Sequence, residues 1–186
     1  MSTSSDKITS VITNLEMTEP PKSPTPPVPA VKIALLKADK PTVSFYRYLY
    51  NTVGKDWLWY ERRVWDDETL LKTIHDPMVE IFVLYVRGVP AGYVELDRRN
   101  PPEIELAYFG LIPEFIGTGI GKYFLRWGID QAWSYSPSRL WVHTCTEDHV
   151  NALPTYQKAG FNVYGQETIE IDNPEISGLF ADNDIT

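Results

Sequence analysis

Leu111-Ile-Pro-Glu-Phe-Ile-Gly-Thr-Gly-Ile-Gly-Lys122 decides the fold of this chain. It leaves a run of strand formers over 103–112 and enters a broadly apolar, proline-free stretch over 120–135 that is long enough for a helix. Gly117, Gly119 and Gly121 let backbone N–H groups converge where a Cβ would obstruct them. Those unpaired N–H groups, with the positive end of the helix dipole, make an anion site suited to a phosphate or pyrophosphate. Two familiar phosphate motifs fail here. A Walker A loop would need glycine where Ile116 stands and a hydroxyl at the end, where Tyr123 stands. A dinucleotide fingerprint counted from Gly117 would need glycine at Lys122.

Upstream, Pro41 and Thr42 open a helix carrying Phe45, Leu49 and Val53, which Gly54 closes. Asp66, Asp67 and Glu68 place acids at the start of a second helix, where the dipole favours them, and Leu70, Leu71 and Ile74 form its apolar side. Strands are expected over 31–36, 79–86 and 91–96, the last two flanking the hairpin turn Arg87-Gly-Val-Pro90. Downstream, a strand over 139–144, a helix over 151–159 and a strand over 161–171 complete the pattern. The order β-α-α-β-β-β-α-β-α-β implies an α/β (α+β) domain over 31–171, with helices flanking a mixed sheet. Ahead of it, six prolines between Pro20 and Pro29 favour an extended linker. Residues 8–17 alternate only in part and suit either a short strand laid on the domain or a disordered tail. The last fifteen residues, 172–186, form an acidic tail without Lys or Arg.

Charge and cysteine content narrow the function. With 17 Lys+Arg against 25 Asp+Glu the net charge is −8, which argues against nucleic-acid or anionic-membrane partners. No run approaches the ~20 apolar residues of a membrane span, and no signal peptide is visible, so the cytoplasm is the expected compartment. The single cysteine, Cys145, excludes an internal disulfide framework, and no His/Asp/Glu spacing suggests a metal.

The run Glu105-Leu-Ala-Tyr-Phe-Gly-Leu-Ile-Pro-Glu-Phe-Ile-Gly-Thr-Gly-Ile-Gly121 resembles motif A of the GNAT N-acetyltransferase superfamily. That motif is a strand, a break at a V-x-P-like step, then [RQ]-x-x-G-x-[GA] opening a helix. Gly119 and Gly121 match its two small residues, and Ile116 replaces its Arg or Gln. Asn151-Ala-Leu-Pro-Thr-Tyr156-Gln-Lys-Ala-Gly-Phe161 looks like motif B, in the right order and separated from the first by one strand. The resemblance covers about residues 31–171. It implies a mostly antiparallel sheet with splayed central strands, acetyl-CoA as donor, and a primary amine on a small molecule or peptide as acceptor. A homodimer is left open.

The resemblance also assigns roles. The pyrophosphate would meet the backbone of Ile116, Gly117, Thr118, Gly119, Ile120, Gly121 and Lys122, with Arg126 as a further nearby cation. Pantetheine would pair with N–H groups freed at Leu111 and Ile112, and with Asn151. Tyr156 would protonate the departing thiolate, its competing reading being a core aromatic on an amphipathic helix. Glu105 sits where several members carry a glutamate base, acting directly or through water; otherwise it is a solvated strand-end acid. Trp57, Trp59 and Tyr60 belong to the densest aromatic stretch, 57–65, which with Glu95 either receives a cationic acceptor or packs a loop. His143 reads as structural, His149 as a cap or acceptor contact, and Cys145 as an unsupported route through an acyl-cysteine. A non-catalytic acyl-CoA-binding module is the rival function.

Overall fold

In the computed structural model, which describes residues 7–173, a seven-stranded sheet carries helices on both faces. The chain order is β1 (Lys7–Met17), β2 (Ile33–Lys37), α1 (Val43–Val53), α2 (Asp67–Ile74), β3 (Val79–Val86), β4 (Val89–Asp97), β5 (Glu103–Leu111), α3 (Ile120–Trp133), β6 (Arg139–Cys145), α4 (Ala152–Ala159) and β7 (Asn162–Asp172), with a 3-10 turn at Pro113–Phe115. Across the sheet the order is β2-β3-β4-β5-β6-β1-β7. Every pairing is antiparallel except β5 with β6.

Local chemistry sets most boundaries. Thr42 Oγ1 accepts from the Phe45 N–H at 3.3 Å and starts α1; Asp66 Oδ1 accepts from Thr69 N–H at 2.7 Å and starts α2. The β3–β4 hairpin is tighter than the four-residue turn the sequence suggests. Arg87 and Gly88 alone form it, both at positive φ (52° and 88°), the conformation whose twist suits a two-residue hairpin. β3 is apolar on both faces because both are covered. Phe82, Leu84 and Val86 pack with α3 in one core, whereas Ile81 and Val83 pack with α1 and α2 in the other.

Residues 7–17 form a full strand, settling the open choice between strand and tail. β1 runs antiparallel between β6 and β7, with Leu15 opposite Val142 on one side and Val163 on the other. Its odd positions Thr13, Leu15 and Met17 are buried. The proline-rich segment that follows is tied to α3, where Arg126 donates to the Ser23 carbonyl at 2.7 Å and to Asp130 at 2.7 Å. The acidic tail expected over 172–186 lies, from 174 onward, outside the described residues.

Two features place the site. First, β5 pairs with β4 along its length but with β6 only at Glu103↔Arg139, Ile104↔Leu140 and Glu105↔Trp141. Beyond Glu105 the two strands part, giving the expected splay. Second, the loop between α1 and α2 is anchored through arginines, two of its own and one on α1. The buried Arg62 guanidinium donates to Glu95 at 2.8 Å and lies 4.4 Å over the Trp65 ring, while Tyr46 donates to the other Glu95 oxygen at 2.6 Å. Arg47 and Arg63 donate to loop carbonyls at Trp65 and Trp59. Glu95 has no exposed surface, so removing Arg62 strands a buried charge. Arg62→Ala is expected to cost about 3–5 kcal/mol in denaturant unfolding. Arg62→Met combined with Glu95→Gln should recover most of that loss.

Candidate active site

A cleft of about 560 Å³ follows the gap between β5 and β6 and reaches from the glycine turn to the α1–α2 loop. At its first end, Gly117 and Gly119 take the left-handed conformation, with φ of 80° and 84°. A Cβ at either would meet no atom within 4 Å, so conformation demands glycine and the space beside it is open to a ligand. No side chain caps α3, which leaves its first N–H groups for an anion. Ile116, Gly117, Gly119, Gly121 and Lys122 line this end. Thr118 and Ile120 do not. They border a second cavity shared with the proline-rich segment, and Thr118 donates its hydroxyl to the Phe115 carbonyl at 2.7 Å. Arg126 is spent on Ser23 and Asp130. Ile116 is 42% exposed, an apolar group where an Arg or Gln was expected from the motif.

Along the strand edge, Leu111 and Ile112 behave differently from one another. The Ile112 N–H donates to the Ala91 carbonyl at 2.9 Å, so it is not free for a ligand, which corrects the pairing expected of it. Antiparallel alternation then turns the Leu111 N–H the other way, into the splay. Leu111 lines the cleft; Ile112 is buried in the core under α1 and α2.

Motif B residues face the same gap. Tyr156 on α4 lines the cleft and packs edge-on against Phe161 at 5.9 Å. Burial, then the nearby Asp148 charge, pushes its phenol upward, so it stays protonated at neutral pH. Asn151 precedes α4 without a side-chain cap bond, leaving its amide to the cleft it lines. Cys145 also lines the cleft, but burial pushes its thiol up to about 12, so it is no thiolate nucleophile near neutrality.

At the far end stand Trp57, Trp59 and Tyr60. Trp59 donates its indole N–H to Asp148 at 3.0 Å and packs 5.2 Å from Tyr108; Trp57 packs 4.8 Å from His149. Gly54 admits this arrangement, since a Cβ there would come within 2.5 Å of Trp59 Cβ. Glu95 is not part of this wall, because it is fully buried against Arg62. Glu105 lies behind the cleft wall rather than on it, its carboxylate 3.4 Å from Nδ1 of His143, which does line the cleft.

Sequence reasoning missed several wall residues. Ser10 and Ile12 of β1, with Ile169 and Ile171 of β7, close the cleft on the β6 side. Nothing in their spacing signals this, because it depends on β1 entering the sheet between β6 and β7. Among the described residues no group of three His, Cys, Asp or Glu side chains is placed to hold a metal, and no helix is long and apolar enough to cross a membrane.

The left-handed glycines, the uncapped helix start, the inward Leu111 N–H and the apolar walls together fit an extended ligand with a diphosphate at one end. Comparison with known proteins agrees at the level of fold. The Staphylococcus epidermidis conserved protein of unknown function superposes with a TM-score of 0.58 at 17% identity, covering 90% of this chain and 63% of its own. An IAA acetyltransferase from Bacillus cereus gives 0.56 at 21% identity, covering 72% and 79%. A spermidine N-acetyltransferase chimera from Vibrio cholerae and hSSAT gives 0.57 at 20% identity, covering 72% and 82%. The chain thus spans less than two thirds of the staphylococcal protein. No curated protein matches it. The family model for the acetyltransferase (GNAT) family matches residues 41–161, and the chain belongs to that family.

Proposed function

We propose that this chain transfers an acetyl group from acetyl-CoA to a primary amine of a small molecule or peptide by direct attack. One observation carries the reading: an open glycine turn, an unpaired strand edge and Tyr156 all border one continuous cleft. The spermidine acetyltransferase among the structural neighbours fits an amine as acceptor class.

The roles divide along the cleft. Backbone N–H groups of Gly117, Gly119 and Gly121, with Lys122, bind the pyrophosphate. The Leu111 N–H and Asn151 orient the pantetheine, fixing the thioester near the end of β5. Trp57, Trp59 and Tyr60 offer aromatic faces to a cationic acceptor, and Glu105, behind the cleft wall, contributes its carboxylate through the groups that line the site. Tyr156 gives its proton to the sulfur as the thioester C–S bond breaks. A negatively charged protein holds the polyanionic donor here because the contacts are local and mostly backbone.

The exposed Ile116 favours one other reading, a module that binds acyl-CoA without turning it over. Free-thiol release from acetyl-CoA across a panel of primary amines separates the two: release with at least one amine supports transfer, and binding with no release on any amine supports the module.

Tyr156→Phe is expected to lower turnover about 10²-fold while leaving acetyl-CoA affinity within a factor of about three. Unchanged turnover would remove Tyr156 as the acid. Gly119→Trp should weaken CoA binding at least about tenfold in calorimetry, since the side chain enters the space beside the turn. A thermal melt on the same sample checks that the variant folds, and CoA affinity retained by a folded variant would overturn the pyrophosphate assignment.

A further inference from the structure

We propose that His143 takes the proton from the acceptor amine, with Glu105 as the positioning carboxylate behind it; this rests on the acetyl-transfer reading above. His143 stands on β6 two residues beyond Trp141, the last β6 residue paired with β5. It is therefore on the wall of the splay, where the thioester would lie. Its side chain is 42% exposed, whereas that of Glu105 is 22% exposed and does not border the cleft. A ligand entering the gap meets the imidazole, not the carboxylate.

The neighbours of His143 come from four elements. Glu105 on β5 faces Nδ1 at 3.4 Å, Glu61 reaches from the α1–α2 loop, Asp148 from the β6–α4 turn, and Asn14 lies opposite on β1. The Trp141 ring is 6.2 Å away. The Glu105 carboxylate raises the imidazole above its ordinary range against the opposing effect of burial, and Glu61 and Asp148 add to the rise. Glu105 thus favours the proton on Nδ1 and leaves the Nε2 lone pair toward the cleft.

Other basic groups in the cleft are committed. Asp148 accepts from Trp59, Thr144 and the Cys145 N–H. Glu147 is held low by hydrogen bonds from Ser10 and Thr146 that outweigh its burial. Glu61 accepts from Tyr108 at 2.8 Å, and His149 Nδ1 accepts from the Asn151 N–H at 2.9 Å.

The proton count closes. His143 Nε2 takes one proton from the ammonium and passes it to solvent, and the freed lone pair forms the N–C bond to the thioester carbon. As the C–S bond breaks, Tyr156 protonates the sulfur, and the surplus proton on nitrogen restores the phenol. The products are the amide, free thiol and one released proton.

The test uses the full chain with 2-phenylethylamine, spermidine and lysine amide as probe amines. The rise of kcat/KM with pH should have its midpoint above 6.5 in the natural protein. In Glu105→Gln the midpoint should fall, and the imidazole of His143, followed by nitrogen-15 NMR, should fall with it. His143→Gly should lose about 10²-fold in kcat/KM, keep acetyl-CoA affinity, and regain activity with added imidazole. His143→Gln, folded by thermal melt, should lose activity without rescue. If the natural protein releases no thiol with any probe, the acetyl-transfer reading fails and takes this assignment with it. If it turns over a probe while folded His143 variants keep their rate and pH profile, only the assignment to His143 is overturned.

Discussion

Everything at the candidate site depends on a pairing that stops. β5 and β6 are held together for three residues, from Glu103↔Arg139 to Glu105↔Trp141, and then separate. At the closed end Arg139 clamps three strands, donating to Glu103 on β5 at 2.7 Å and to Glu16 on β1 at 3.1 Å. At the open end the backbone groups that would have continued the ladder face a gap instead. Unpaired backbone polar groups are costly unless water or a ligand meets them. The splay therefore amounts to a strand-shaped vacancy in the sheet, lined by main-chain donors from one strand and by His143 and Cys145 from the other.

The second constraint is the aromatic loop on the α1–α2 side. Its aromatic residues first suggest recognition of a cationic acceptor. In the structure the residues here divide into two sets with different duties. Arg62, Glu95, Tyr46 and Trp65 face inward and hold the loop on the sheet. Trp57, Trp59 and Tyr60 face the cleft, tied by Trp59 to Asp148 and by Trp57 to His149. The cation that the aromatic box around Trp65 and Tyr108 receives is the chain's own Arg62. Trp57, Trp59 and Tyr60 are what this aromatic cluster presents to the cleft.

Much of this was legible in the residues. The glycine spacing at 117–121, the caps at Thr42 and Asp66 and the continuous apolar run of β3 are local signals, and each maps to the element it implies. Opposite fates for Leu111 and Ile112 follow from hydrogen-bond alternation and need the β4–β5 register, which no single strand carries. Glu95 was expected beside the aromatic stretch at the acceptor because its partner, Arg62, lies 33 residues earlier in a loop. His143 read as structural for a similar reason: its significance comes from a carboxylate on a different strand. Long-range pairing was the missing information in each case.

β1 adds a consequence for how the molecule comes to be folded. Its two neighbours, β6 and β7, start at Arg139 and Asn162, so the earliest strand in the chain lies between two of the latest. Contacts of such sequence separation form slowly, because loop closure must be met before pairing rewards it. During synthesis β1 has no ladder partner until β6 has been made. Ser10 and Ile12, which wall the cleft, take their places only through that late pairing. Strands β2 to β5 and their helices lie close together in sequence and can form early, while the β6 side of the cleft is complete only when β1 meets β6 and β7.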